Sequence, residues 1–249
     1  MRLARPSAFA LCLMLLFCGS AFAQLVDDVA HNNALTHYRA GEDLMRNEQF
    51  ADARDEFQQA IKFDPLLTIA HYELGQSFMA LRQYQEAIRA YVGCRTAYQS
   101  LAALVSRNDF VADQRRDDEV RELRQSIDDI QSGRIKISTG RDVMVARLEH
   151  RISELERTKQ TGRSSFDTPP ELSLALGSAY FRSGDLLDAE REWKDAVDGN
   201  AKLGEAYNNL AALYAMTGRK SEAQQSVKDA ERSGYKVNPN LKTDIQRLP

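Results

Sequence analysis

The residues of this chain with the most chemical capacity are its four histidines, a lone internal cysteine and a run of carboxylates. Their spacing assembles no reaction. His31, His37, His71 and His150 are the only histidines, and no H-E-x-x-H pair or Cys/His cluster accompanies them to complete a metal site. His37 and His71 lie 34 residues apart, a spacing that suits a repeated structural position better than a ligand pair. Asp117, Asp118 and Glu119 sit in DQRRDDEVRELRQ, where interspersed charges predict a solvated helix face rather than a calcium site. In the same stretch Asp117 and Arg121 are spaced to pair at i, i+4. Arg115-Arg116 is too small a basic patch to follow a phosphate backbone. No phosphate-cradling glycine loop, dinucleotide fingerprint or nucleophile elbow occurs. The sequence therefore predicts no catalytic residue, no metal ligand and no cofactor site, and a chain that is not an enzyme.

The elements that would carry these residues have a strong period. In LALGSAYFRSGDLLDAEREW, Gly177 falls on the apolar face of a helical pattern. A glycine there costs about 0.5–1 kcal/mol relative to alanine. Upstream, AHYELGQSFMALRQYQEAIRAY repeats the arrangement: Leu74-Gly75, Phe78, Ala87 and Tyr91 match Leu176-Gly177, Tyr180, Ala189 and Trp193. A further copy carries Gly41, Leu44, Ala53, Phe57, Ala60 and Pro65. Another carries Leu210, Ala211, Tyr214, Gly218, Ala223, Val227 and Ala230. Gly41 to Gly75 and Gly177 to Ala211 are each 34 residues.

This pattern resembles the tetratricopeptide repeat, a helix-turn-helix unit of about 34 residues. The resemblance covers residues 34–101 and 170–237. The Trp usual in the family is replaced by His37, His71, Ser173 and Tyr207, and the closing Pro survives only as Pro65. The resemblance implies that Gly41, Gly75 and Gly177 let paired helices cross closely, with Ala211 as the nearest substitute. Ala53, Ala87, Ala189 and Ala223 would face them, and Phe57, Tyr91 and Trp193 would fill the space between repeats. Gly184 and Gly218 fall between the helices of their repeats, where the chain needs a positive φ.

The N-terminus reads MRLARPSAFALCLMLLFCGSAFAQ, with basic Arg2 and Arg5, an apolar run from Ala8 to Cys18, and Ala21 and Ala23 forming an A-x-A site. That is the pattern of a signal peptide, residues 1–23, cleaved near Ala23. The run is shorter than the roughly 20 residues a membrane span needs, so no transmembrane segment is expected in the mature chain. Cleavage would shift the net charge from −3 to −5 by removing two arginines, an unsuitable balance for binding nucleic acid. It would also leave Cys94 as the only cysteine, standing where other repeats have Ala60, Ala196 and Ala230. A buried small residue is the expectation there.

Residues 102–169 carry no repeat signature. Val120, Leu123, Ile127 and Ile130 form one seam at spacings 3, 4 and 3, and Val145, Leu148, Ile152 and Leu155 form another. SGRIKISTG joins them, with Thr139 and Asp142 placed to cap the second helix, so an antiparallel hairpin of coiled-coil type is predicted. SRND at 106–109 is the expected break before it. KQTGRSSFDTPPE is the expected linker after it, with Thr168 as cap and Pro169 at the first helical position. Beyond the last repeat, Val237, Leu241 and Ile245 predict a short helix covering the solenoid end.

The sequence thus predicts an all-α fold: a helical solenoid of two repeat pairs interrupted by a helical-hairpin insertion. Its boundaries are 1–23, 24–101 (repeats 34–67 and 68–101), 102–169, 170–237 (repeats 170–203 and 204–237) and a capping segment, 238–249. The family resemblance implies an interaction scaffold holding a protein or peptide in a concave groove lined by first helices. Carried over by position, the groove residues are Tyr38, Arg39, Glu42, Tyr72, Glu73, Gln76, Ser178, Arg182, Asn208 and Asn209. The family's clamp for C-terminal carboxylates is not expected, because Tyr38 and Tyr72 stand at its lysine position. The partner's identity is open. The periplasm or the extracellular space is the expected location, and a monomer is expected over a homodimer built from two hairpins. The alternative role is an assembly subunit of an envelope complex, or a homo-oligomer, acting through the hairpin.

Overall fold

The computed structural model describes residues 29–105, 110–135, 141–161 and 168–249, and these residues form helices joined by short turns, with no strand among them. The signal-peptide reading, the SRND break, Thr139 and most of the linker lie outside the described residues. Helix α1 covers 29–46 and α2 Phe50–Phe63. They are followed by α3, Thr68–Ala80, and α4, Tyr84–Val105. The insertion supplies α5, Phe110–Gln131, and α6, Arg141–Thr161. The solenoid resumes with α7, Pro170–Ser183, α8, Leu186–Gly199, α9, Gly204–Met216, and α10, Lys220–Arg232. Helix α11, Pro239–Arg247, ends the chain.

Three of the four repeats are helix pairs locked by one ring. A Cβ on Gly41 would lie 2.5 Å from Phe57 Cε1, one on Gly75 2.3 Å from Tyr91 Cε1, and one on Gly177 2.6 Å from Trp193 Cδ1. The aromatic side chain of the second helix therefore lies directly on the glycine of the first. The sequence reading placed these rings between repeats; each also covers the glycine of its own repeat, while Ala53, Ala87 and Ala189 are fully buried on the same second helices. A flat ring needs the room that a missing Cβ leaves. Where the glycine becomes Ala211, the ring becomes Val227, and both side chains are buried. The turns share a second repeated feature: Gly184 and Gly218 have φ of 94° and 74°, and the equivalent Glu48 and Arg82 adopt φ of 59° and 58°.

Across the insertion the solenoid is unbroken. Helix α4 packs directly on α7, and Leu172, Leu176 and Ala179 share a core with Tyr91, Cys94 and Tyr98. Arg95 clamps the joint, with Nη2 2.5 Å from the fully buried Glu192 carboxylate on α8. Cys94 is buried and its thiol reaches Thr68 O. Burial pushes that thiol well above its usual range, so it is not poised to react. At α7 the helix starts at Pro170 with Pro169 outside it, and no side chain caps it, so Thr168 does not act as the predicted cap. Helix α11 buries Val237 and Ile245 beneath it, with Asn238 capping its first turn.

Candidate functional site

The hairpin occupies the concave face of the N-terminal repeats. Its two seams meet: Val120, Ile152 and Leu155 form a cluster, with Leu123 and Ile127 packed on it. Arg141 donates to Gln131 O beside the turn, and Arg151 reaches Glu119 Oε1 at 3.0 Å further along, so α5 and α6 run antiparallel. The other face of α5 lies along α1 in a ladder of charges. His31 Nε2 meets Asp118 Oδ2 at 2.6 Å, and Arg39 Nη2 meets Glu122 Oε1 at 2.6 Å. Ser126 donates to Glu42 at 3.4 Å, and Arg46 Nη1 stands 3.7 Å from Asp129 Oδ2. Residue numbers rise together on both helices, so they are parallel.

His31 anchors the ladder. It is 2% exposed, and its Nδ1 meets Asp64 Oδ2 at 2.7 Å, while Arg115 Nη1 lies 3.2 Å from that same oxygen. Burial pulls the imidazole pKa down, but the hydrogen bonds to Asp118 and Asp64 outweigh it and hold the pKa above its usual value. Asp118 is the converse: burial pushes it up, and the bond to His31 carries it below its usual value. Both shifts favour the charged forms, with the ring set between two carboxylates. The acidic run is therefore not the solvated face predicted for it, because Asp118, Glu119, Arg115 and Arg116 are all buried against the repeats. Arg121 pairs with Asp118 at 2.7 Å, an i, i+3 contact in place of the one predicted with Asp117.

Between the hairpin and the groove floor lies a cleft of about 850 Å³. Of the predicted groove residues, it brings together Tyr38, Glu42, Tyr72 and Glu73, and adds Tyr98, Leu123, Leu148 and Arg151. Tyr98 donates to Glu119, and the Arg151 guanidinium lies 5.1 Å above the Tyr98 ring. Ile135 and Met144 also line the cleft. Burial raises the Glu42 carboxyl. Burial and the nearby charge of Glu42 push Glu73 up to about 8. Arg39 sits outside the cleft in its ion pair, and Gln76 is half-buried on α3.

The remaining predicted residues lie on α7 and α9. Ser178 is half-buried and bonds within its own helix, to Leu174 O. Arg182 is exposed, and Asn208 and Asn209 are half-buried. His31, Asp118, Glu119, Glu122, Tyr98 and Arg151 were absent from the sequence-derived set. The signal that could have found part of it is a stripe on α5, Asp118, Glu122, Ser126 and Asp129, facing a basic one on α1, His31, Arg39 and Arg46.

A family profile described as tetratricopeptide repeat matches residues 38–93 and 174–234, a little under half the chain. In these two blocks the chain is similar to tetratricopeptide repeats. These are the same two blocks whose glycine–ring locks are described above, and the unmatched interval between them holds the hairpin. No curated protein matches the sequence at a significant level. Among solved structures, a thermophilic tetratricopeptide-repeat protein of Thermus thermophilus is 18% identical, with 86% of this chain and 98% of that one covered and a TM-score of 0.35. MamA is 17% identical over 78% of this chain and 94% of its own, at 0.29. The TPR2AB domain of yeast Sti1, in complex with pHSP90, is 13% identical over 86% and 96%, at 0.28. At TM-scores this low the likenesses say nothing about function.

Proposed function

We propose that the protein is a non-enzymatic scaffold that holds a protein or peptide partner in the C-terminal half of its concave groove, and that it works outside the cytoplasm after loss of residues 1–23. Tetratricopeptide repeats are commonly interaction modules, which supports the general role. The observation that carries the finer reading is the asymmetry of the groove. The first helix of the N-terminal repeats, α1, is engaged by the chain's own hairpin. On α7 and α9, Arg182, Asn208 and Asn209 enter no side-chain hydrogen bond or ion pair among the described residues. An asparagine so placed can bond a partner's backbone with both donor and acceptor. The hairpin-centred alternative has less support, since the acidic face of α5 and much of both seams are already covered within the chain.

Affinity capture from an extract of the source cells, read by mass spectrometry, tests the groove. The combined Arg182→Ala, Asn208→Ala, Asn209→Ala variant should lose the partner that the unmodified chain recovers, and undiminished recovery would refute the groove reading. Export is tested separately: in an export-competent host the mature N-terminus should be Gln24, and a chain retaining Met1 would contradict it.

A further inference from the structure

We infer that the cleft between the N-terminal concave face and the hairpin is a binding site for a small amphiphilic amine, its protonated nitrogen seated between Glu42 and Glu73 and its apolar body laid on Tyr72, Leu123 and Leu148. The volume, about 850 Å³, falls in the range of about 300–1,000 Å³ of small-molecule pockets. Most of the wall is apolar or aromatic, which suits a hydrophobic body.

The charges then select the head group. The cations that line the cleft are held by other carboxylates: Arg151 by Glu119, Arg46 by Asp43 and Asp129, and Arg134 by Asp128 and Asp129. Glu42 accepts from Tyr38 and Ser126. Glu73 has no donor among the described residues and is repelled by Glu42. Glu73 is half-buried at the cleft wall, where a carboxyl without a donor gains most from a cationic one. A ligand ammonium would supply the missing donor to both acids and gain attraction from the tyrosine faces. A carboxylate or a neutral head group at Glu42 and Glu73 would bring no cationic donor to either acid.

The inference is independent of the proposed groove, whose variants lie on α7 and α9. Calorimetric titration of the purified chain with octylammonium, octanol and octanoate, each below its micelle threshold, provides the test. Octylammonium should saturate a single site and bind at least about tenfold more tightly than either comparator. Glu73→Gln and, separately, Glu42→Gln should each weaken octylammonium about tenfold and leave octanol unchanged. Both remove a like-charge repulsion, and circular dichroism establishes that each is folded. Leu123→Trp should fill the cleft and abolish binding of all three probes. Absence of saturable octylammonium binding, equal affinity for octanoate, or indifference to both glutamine variants would overturn the inference.

Discussion

At the scale of single residues, the decisive contact is a ring resting on a glycine. Gly75→Ala places a Cβ 2.3 Å from Tyr91 Cε1, and the ring cannot retreat because it is fully buried. Overpacking of this kind costs about 1–3 kcal/mol, which urea denaturation should register. Adding Tyr91→Val should restore part of the loss, since Ala211 and Val227 already make that pairing in the last repeat. Simple additivity in the double-mutant cycle would contradict the ring-on-glycine account. A gain is expected elsewhere: Glu48→Gly and Arg82→Gly should each stabilise by about 0.5–1 kcal/mol, because a side chain at positive φ is strained and the equivalent turns already use Gly184 and Gly218. An unchanged denaturation midpoint would show that those turns carry no strain.

At the scale of elements, the insertion is fastened by its polar face. His31 has a raised pKa, so its contribution is full below its unfolded value near 6.5 and is lost as pH rises through the folded value. Asp118 has a lowered pKa, so its contribution is present above about 3.8 and is lost as pH falls through the folded value. The latch should hold best between those limits and loosen on the alkaline side. Denaturation at pH 6 and pH 9 should show a smaller drop for His31→Gln than for the unmodified chain, and equal drops would remove His31 from the latch. Glu73 adds to the same alkaline loss, because its burial cost grows from about pH 4.5 to about 8; Glu73→Gln isolates that part. The repeats were legible in the sequence because each constraint recurs at the same offset: a glycine, then a ring sixteen residues on, in three of the four copies. The latch was not legible, because its pairs join residues more than 80 positions apart and each occurs once. Charges in DQRRDDEVRELRQ look solvated until the basic stripe of α1 is brought against them. Sequence also misplaced the start of α7, where two consecutive prolines leave the first-turn position ambiguous by one residue.

At the scale of the molecule, the solenoid runs through four repeats and the hairpin is folded back into its first half. Because α4 packs directly on α7, replacing residues 106–167 by a short Gly/Ser linker should leave a cooperatively folding solenoid, although one stripped of the latch. A non-cooperative melt would show instead that the hairpin is needed to hold the repeats together. The hairpin spends its apolar seam within itself and its acidic stripe on α1, so the chain should be monomeric in sedimentation equilibrium. The most direct test of this arrangement is a short bismaleimide cross-link in the Arg39→Cys, Glu122→Cys variant, with the native Cys94 thiol buried and out of reach. The account predicts an efficient link within one chain, recovered from monomer and mapped by mass spectrometry to α1 and α5. A link found only between two chains, or none at all, would contradict the placement of the hairpin in its own concave groove.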